Sequence, residues 1–284
     1  MKRIPVFENK FTPTPIYCCN GQYAENEIYI KRDDLLPFSF GGNKVRKAQK
    51  FYQEIIELKP DVLVTYGSSS SNHCRIIANL AKALEISCEI ISPEENKHET
   101  PNSKIVASLG AKVRYCALNQ VKETIDKTME ELAEKGKPYF IMGGGHGNPG
   151  TEGYKDAYEE IVGISIARLA EPGGNVVLES VTDYFEDMMC KDKITKAEKE
   201  EYIQKAKTSL CFTDRYRLEG YGAYNEEVLK IIKAVEEQDG VAMDTTYVGK
   251  AFWGMTQYLK EENIRGKKIL FIHTGGTPLY FEQF

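Results

Sequence analysis

The sequence predicts an α/β protein with two open, twisted, mostly parallel sheets flanked by helices. Three observations predict it. Short β-branched runs such as DVLVTYG (61–67), SCEIIS (87–92) and PYFIM (138–142) alternate with segments of helical periodicity. Several runs pass through a glycine- or serine-rich loop straight into a helix, the junction expected of parallel βα units. At 284 residues, with 42% apolar and 28% charged, the chain can bury a large core as one α/β domain or two. Two intimate lobes are expected: the regular stretch 47–141 as a small α/β lobe, and 1–46 with 142–284 as a discontinuous large one.

In chain order, EIYIKRDDL (27–35) reads as a strand running into a loop. KVRKAQKFYQEIIEL (44–58) reads as a helix, since Val45, Ala48, Phe51, Tyr52, Ile55 and Ile56 share one face and Pro60 ends it. DVLVTYG is a buried strand, followed by the polar run SSSSNH (68–73) and the helix CRIIANLAKALE (74–85). The strand SCEIIS and a polar loop from Glu94 to Pro101 lead to the helix NSKIVASLG, the strand AKVRYC, a helix over 119–136 and the strand PYFIM. GGGHGNPG (143–150) is then a loop before the helix TEGYKDAYEEI (151–161). The second half is less regular. VGISIAR (162–168) is strand-like, ITKAEKEEYIQKAK (194–207) is an exposed charged helix, and NEEVLKIIKAVEEQDG (225–240) is an amphipathic helix closed by Gly240. DTTYVGKAFWGMTQYLKEE (244–262) is a further helix, and KKILFIHTGGTP (267–278) a strand entering a glycine turn.

Composition narrows the function. A net charge of −5 leaves no basic footprint for nucleic acid. No apolar run approaches the ~18 residues of a membrane span, and MKRIPVFENKFTPTP has no apolar signal core, so a cytoplasmic protein is expected. Seven cysteines, none in a C-x-x-C pair, imply reduced thiols, and four scattered histidines imply no metal site. A small-molecule ligand is the default that remains.

Three loops invite chemistry: GGNK (41–44), SSSSNH (68–73) and HTGGTP (273–278). Each follows an expected strand, and ligands gather at the carboxyl ends of strands in open α/β sheets. The plainer reading of the first makes Asn43 a helix cap and Lys44 a solvated residue after it. The alternative is chemical. A helix start disfavours a cation, which suits an amine that must be neutral to attack a carbonyl. Ser68 to Asn72 offers hydroxyls, an amide and backbone N–H groups at a helix start, a seat for a carboxylate or phosphate, although one serine would suffice as a cap. GGGHGNPG could cradle an anion or merely connect. Tyr221 and Tyr247 lie in glycine-flanked contexts where a phenol can serve as acid, base or donor, though with 17 tyrosines in the chain packing is the plainer role for each.

Taken together, KRDDLLPFSFGGNKVRK, SSSSNHCRIIANLAKALEISC, DTTYVGKAFWGM and ILFIHTGGTPLYF resemble, in order and over nearly the whole chain, a family of pyridoxal-phosphate enzymes. It is the D-cysteine desulfhydrase and 1-aminocyclopropane-1-carboxylate deaminase family, of the tryptophan synthase β-like fold type II. The resemblance implies a cofactor cleft between the lobes, with Lys44 holding pyridoxal 5'-phosphate covalently. It also implies Asn72 beside the cofactor's phenolic oxygen, Thr274 near the pyridine nitrogen, Ser71 with Asn72 and His73 facing a small amino-acid substrate, and Tyr221 and Tyr247 as the active-site tyrosine pair. A neutral hydroxyl at Thr274 would make the ring a milder electron sink. The implied reaction is α,β-elimination, with D-cysteine giving pyruvate, ammonia and sulfide, and the implied assembly is a homodimer.

Two departures qualify the resemblance. The deaminase branch carries a glutamate after the second tyrosine, where this chain has Val248. That favours elimination of sulfur or a sulfonate over ring opening. The family also has a βα unit carrying the cofactor's phosphate loop, of roughly 30 residues or more, where this chain joins Glu160 almost directly to Val162. Either residues are missing from the chain as given, or the deletion is real, or another loop, Gly143 to Gly147, seats the phosphate. A non-catalytic amino-acid-binding relative is the alternative that this gap raises.

Overall fold

A computed structural model of the chain describes residues 2–161, 167–169, 176–209 and 211–283. In chain order its strands and helices begin with β1 (Ile16–Cys18), β2 (Glu27–Lys31), α1 (Asn43–Leu58), β3 (Val62–Tyr66), α2 (Asn72–Leu84), β4 (Ser87–Pro93) and α3 (Pro101–Ser108). There follow β5 (Lys112–Cys116), α4 (Val121–Ala133), β6 (Pro138–Ile141), α5 (Asn148–Glu159), β7 (Ala167–Leu169), α6 (Val176–Cys190) and α7 (Lys196–Ser209). The chain closes with β8 (Cys211–Thr213), α8 (Glu226–Asp239), α9 (Val248–Glu261), β9 (Lys268–Ile272) and α10 (Thr277–Tyr280). It forms two compact units, Met1–Thr12 with Leu36–Asp156 and Pro13–Leu35 with Ala157–Phe284, the first of which contains the whole of 47–141.

The first unit is built on a four-stranded sheet in the order β5-β4-β3-β6, every pair parallel. Parallel strands buried on both faces need near-continuous apolar runs, and Val62, Leu63 and Val64 of β3 supply one. Helix α1 presents Val45, Ala48, Phe51, Tyr52 and Ile55 to the core, the face its periodicity predicts, and ends at Lys59 in a left-handed turn before Pro60. Burying each large aliphatic side chain there contributes about 1.5–3 kcal/mol. Helix α2 starts where the Ser71 hydroxyl accepts from the Cys74 N–H at 3.2 Å. A Thr100/Ser103 capping box starts α3.

In the second unit the strands fall into two sheets: β1-β2-β9, with β1 antiparallel and β9 parallel to β2, and the parallel pair β7-β8. The α/β class with mostly parallel sheets flanked by helices is as expected; among the described residues the strands fall into three sheets. Residues 162–166, which include the junction at Val162 and most of the expected strand 162–168, lie outside the described residues. The core of this unit gathers Ile28 and Ile30 of β2 with Val228, Ile232 and Val235 of α8 and Phe252 of α9.

Two helices differ from expectation. Helix α9 begins at Val248 rather than Asp244, because the Asp244 carboxylate accepts the N–H groups of Tyr247 and Val248 and so caps the helix instead of joining it. Helix α6 is not anticipated by periodicity at all, since its β-branched and aromatic residues carry weak helix propensity. No described helix is long and apolar enough to cross a membrane.

Candidate active site

In the first unit the site residues collect at the carboxyl edge of β3 and β6. The chain leaves β3 through Gly67 to Ser71 into α2, and leaves β6 through Gly143–Gly145 toward α5. Lys44 is the second residue of α1. Gly42, with φ 101°, takes the capping position that Asn43 was expected to hold, and Asn43 instead donates from Nδ2 to the Tyr154 hydroxyl at 2.6 Å. A φ of this sign favours glycine and turns the chain sharply into the helix.

The Lys44 amine donates to the Gly144 carbonyl at 3.1 Å. Lys47, one turn further on, donates to the same oxygen and to that of Gly145, both at 3.0 Å. Two amines therefore share one carbonyl. His73, fully buried, lies against this loop. Thr65 Oγ1 gives its proton to the Ile141 carbonyl at 2.7 Å, so at its 2.9 Å contact with His73 Nε2 the ring must be the donor. That leaves Nδ1 as an acceptor. Burial, then the charges of Lys44, Lys47 and His146, hold the His73 pKa well below the usual histidine range, so the ring is neutral.

Asn72 is oriented by its neighbours. Its Oδ1 accepts from Asn102 Nδ2 at 3.0 Å and from Arg75 Nη2 at 3.3 Å, which turns its N–H2 group to the remaining side as a donor. Asn102 also donates to the Ser70 carbonyl at 2.9 Å, tying the serine run to α3.

In the second unit the Tyr221 and Tyr247 hydroxyls meet at 2.6 Å with their rings edge-on. Lys250 of α9 donates to the Gly220 carbonyl at 2.8 Å and so pins the loop that carries Tyr221 beside Tyr247. Asp244, fully buried, holds the Tyr247 N–H at 2.6 Å, and desolvation lifts its carboxyl pKa to about 7 against the opposing pull of its backbone hydrogen bonds. Thr274 follows β9. His273 beside it donates from Nε2 to the Ala242 carbonyl at 2.8 Å and accepts from the Gly275 N–H at 3.3 Å, fixing the turn around Thr274. Burial, outweighing the nearby Asp34 carboxylate, keeps this ring's pKa below the usual histidine range.

The first unit thus brings Lys44 and His73 to one loop, with Ser71 and Asn72 at the start of the same helix as His73. The second brings Tyr221 and Tyr247 together. Lys47, Arg75, Asn102, Asp244, Lys250 and His273 join these sites without having been singled out. Spacing alone could have found two of them: Lys47 lies three residues after Lys44, and Arg75 three after Asn72, on the same helix faces.

A family model described as "Pyridoxal-phosphate dependent enzyme" matches residues 8–182. The chain belongs to the pyridoxal-phosphate dependent enzymes. It is 31% identical over 296 residues to D-cysteine desulfhydrase of Serratia proteamaculans (strain 568), covering 92% of this chain and 90% of that one. To D-cysteine desulfhydrase of Klebsiella pneumoniae (strain 342) it is 28% identical over 320 residues, covering 99% and 97%. Because that alignment is 320 positions long and this chain has 284 residues, the relative holds at least 36 positions with no counterpart here. Among solved structures, an ACC deaminase homologue superposes with a TM-score of 0.73 at 26% identity, covering 96% of this chain and 93% of that one. O-ureido-L-serine synthase, at 10% identity and a TM-score of 0.63 over 98% and 93%, shares the fold.

The first unit's donor set fits the aldehyde and ring of pyridoxal phosphate: an amine at a helix start, and an amide N–H2 group aimed by two donors on its own oxygen. The phosphate is different. Gly144 and Gly145 turn carbonyl oxygens toward the lysines, and the Gly145 N–H already serves the Met142 carbonyl at 2.8 Å, so the side of this loop that faces the lysines is an acceptor edge. A surface hollow of about 470 Å³ in the same unit lies by Asp61, Ser87, Lys112 and Gly136, at the amino ends of the strands, and touches none of the site residues.

Proposed function

We propose that this protein is a lyase that eliminates the β-substituent of a small amino acid, D-cysteine-like, with water turning the remainder into a keto acid and ammonia. D-cysteine would give pyruvate, ammonia and hydrogen sulfide. The observation that carries the reading is the pairing, in one unit, of a helix-start lysine amine with an asparagine whose N–H2 group is aimed by its neighbours.

When bound, the cofactor supplies an aldehyde for the substrate amine and a ring that accepts electrons. The protein's part is positioning and proton movement. Lys44 Nζ, aimed by the Gly144 carbonyl, would hold the cofactor through its aldehyde and would be the base for the substrate's α-proton. Asn72 Nδ2 would donate to the cofactor's phenolic oxygen. Ser71 would give its hydroxyl proton to the substrate, and neutral His73 presents Nδ1 as an acceptor beside Gly145. In the second unit the paired Tyr221 and Tyr247 hydroxyls would supply a proton to a leaving sulfur, and Thr274 would offer its hydroxyl to the ring nitrogen. Val248, buried within α9, offers no acid or base where ring opening would use one. A homodimer in the cytoplasm, with lobes 1–46 plus 142–284 and 47–141, belongs to the same proposal.

Protein given pyridoxal phosphate should show a visible absorbance band, and borohydride should fix the cofactor's mass on the Lys44 peptide. D-cysteine should release sulfide, and Lys44→Ala should abolish both. Protein that stays colourless with added cofactor overturns the reading. The shortfall of at least 36 positions favours one rival, a relative that binds an amino acid without turning it over. Ligand-induced stabilisation without sulfide or keto acid would select it.

A further inference from the structure

Arg75 is buried in full, yet among the described residues its guanidinium meets no carboxylate. Its partners there are neutral: Nη1 donates to Ser39 Oγ at 2.9 Å, Nη2 to Asn72 Oδ1 at 3.3 Å, the Phe40 ring lies 5.6 Å from its central carbon, and Nε meets no hydrogen-bond acceptor among the described residues. Burying a charge so poorly compensated is costly, and an apolar side chain of the same shape would often be as stable.

What the arginine joins accounts for its presence. Ser39, Phe40, Gly41 and Gly42 all have positive φ, at 45°, 61°, 66° and 101°, and they lead directly into Asn43 and Lys44. Two of the four are not glycines, so this approach to the lysine is strained and needs holding from outside. The guanidinium grips it at Ser39 and stacks against Phe40 on one side, and takes the Asn72 amide oxygen on the other.

We propose that Arg75 is a positioning residue that couples the strained approach to Lys44 to the orientation of the Asn72 amide, so that amine and amide are presented to the cofactor in register. The inference rests on the proposed roles of Lys44 and Asn72. A planar fork suits the task because its two ends point to two partners at once. A lysine keeps the charge but offers one compact head on a flexible stem.

The test compares wild type, Arg75→Lys and Arg75→Met. In cofactor-free protein, hydrogen exchange is followed at the Gly41 amide, which bonds the Phe38 carbonyl at 2.8 Å. We expect exchange at Gly41 to quicken tenfold or more in both variants while β3 and β4 amides keep their wild-type rates. Titration with pyridoxal phosphate should show at least tenfold weaker retention and a shifted pH midpoint of the visible band. Gly41 exchange and cofactor retention at wild-type level in Arg75→Lys overturn the coupling. A uniform rise across the strands in both variants also overturns it, since it marks a merely structural residue. If wild type itself takes up no cofactor, the proposed function fails, and the Gly41 result still decides whether Arg75 holds the loop.

Discussion

Lys31, Thr14, Asp33 and Glu160 form a buried polar knot in the second unit, and cutting it at different points should have unequal effects. Lys31 and Glu160 expose 1% and 4% of their side chains and pair at 2.5 Å. Lys31 also donates to Thr14 Oγ1 at 2.6 Å and lies 3.9 Å from Asp33, whose carboxylate accepts the Thr14 hydroxyl at 2.7 Å. One ammonium thus serves two carboxylates. Breaking a buried pair from one side costs roughly 3–5 kcal/mol, because the remaining charge is stranded. Glu160→Gln leaves Lys31 with Asp33 and Thr14, so about 3 kcal/mol is expected; Lys31→Met takes one ammonium from two carboxylates at once, so about 5 kcal/mol is expected. Lys31→Met with Glu160→Gln should cost less than the two single changes summed, with a coupling of about 2 kcal/mol or more. Trp253, the chain's one tryptophan, is buried in the same unit's core, so its fluorescence in urea reports this unfolding directly. Single changes within about 1 kcal/mol of wild type, the reverse order, or simple additivity would refute the reasoning.

Gly150→Ala tests the loop beside Lys44. A methyl there would sit 1.8 Å from the Gly145 carbonyl oxygen, which Lys47 uses, so the loop must move; a loss of about 3 kcal/mol in urea unfolding and slower borohydride labelling of Lys44 are expected, and a loss under about 1 kcal/mol would contradict the close approach. Asp244 gives a pH prediction. Its folded pKa, about 7, lies above the usual carboxylate value of 3.8, so the folded state binds the proton more tightly. The stability it contributes is fully present below pH ~4 and is lost as pH rises through about 7, a span worth at most roughly 4 kcal/mol. Urea midpoints at pH 5 and pH 8 should therefore differ more in wild type than in Asp244→Asn, and equal differences would exclude Asp244 as the source.

Much of the first unit is legible in the sequence because each element there obeys one local rule. The β3 run is uniformly apolar because both faces of a parallel strand are covered, and α1 shows a clean stripe that ends at a proline. The second unit obeys such rules less. Asp244 looks like the first residue of a helix, yet its short carboxylate serves better as a cap, and α6 forms from residues with little helical preference of their own. Lys44, Asn72 and the two tyrosines stand out only through ordered motifs. Arg75 and Lys250 do not, since nothing local shows that a cation will be buried against carbonyls or neutral side chains.

The sequence by itself determined the α/β class, the alternation of elements, the membership in a pyridoxal-phosphate family and which lysine to look at. Those depend on periodicity and on short motifs, which are read along the chain. The tertiary structure alone decided that Lys44 and Lys47 share one carbonyl, that His73 carries its proton on Nε2, that Asn72 faces with its N–H2 outward and that the second unit's strands split into two sheets. Each of these depends on partners tens of residues away, and a hydrogen bond's direction is set only when both ends are in place.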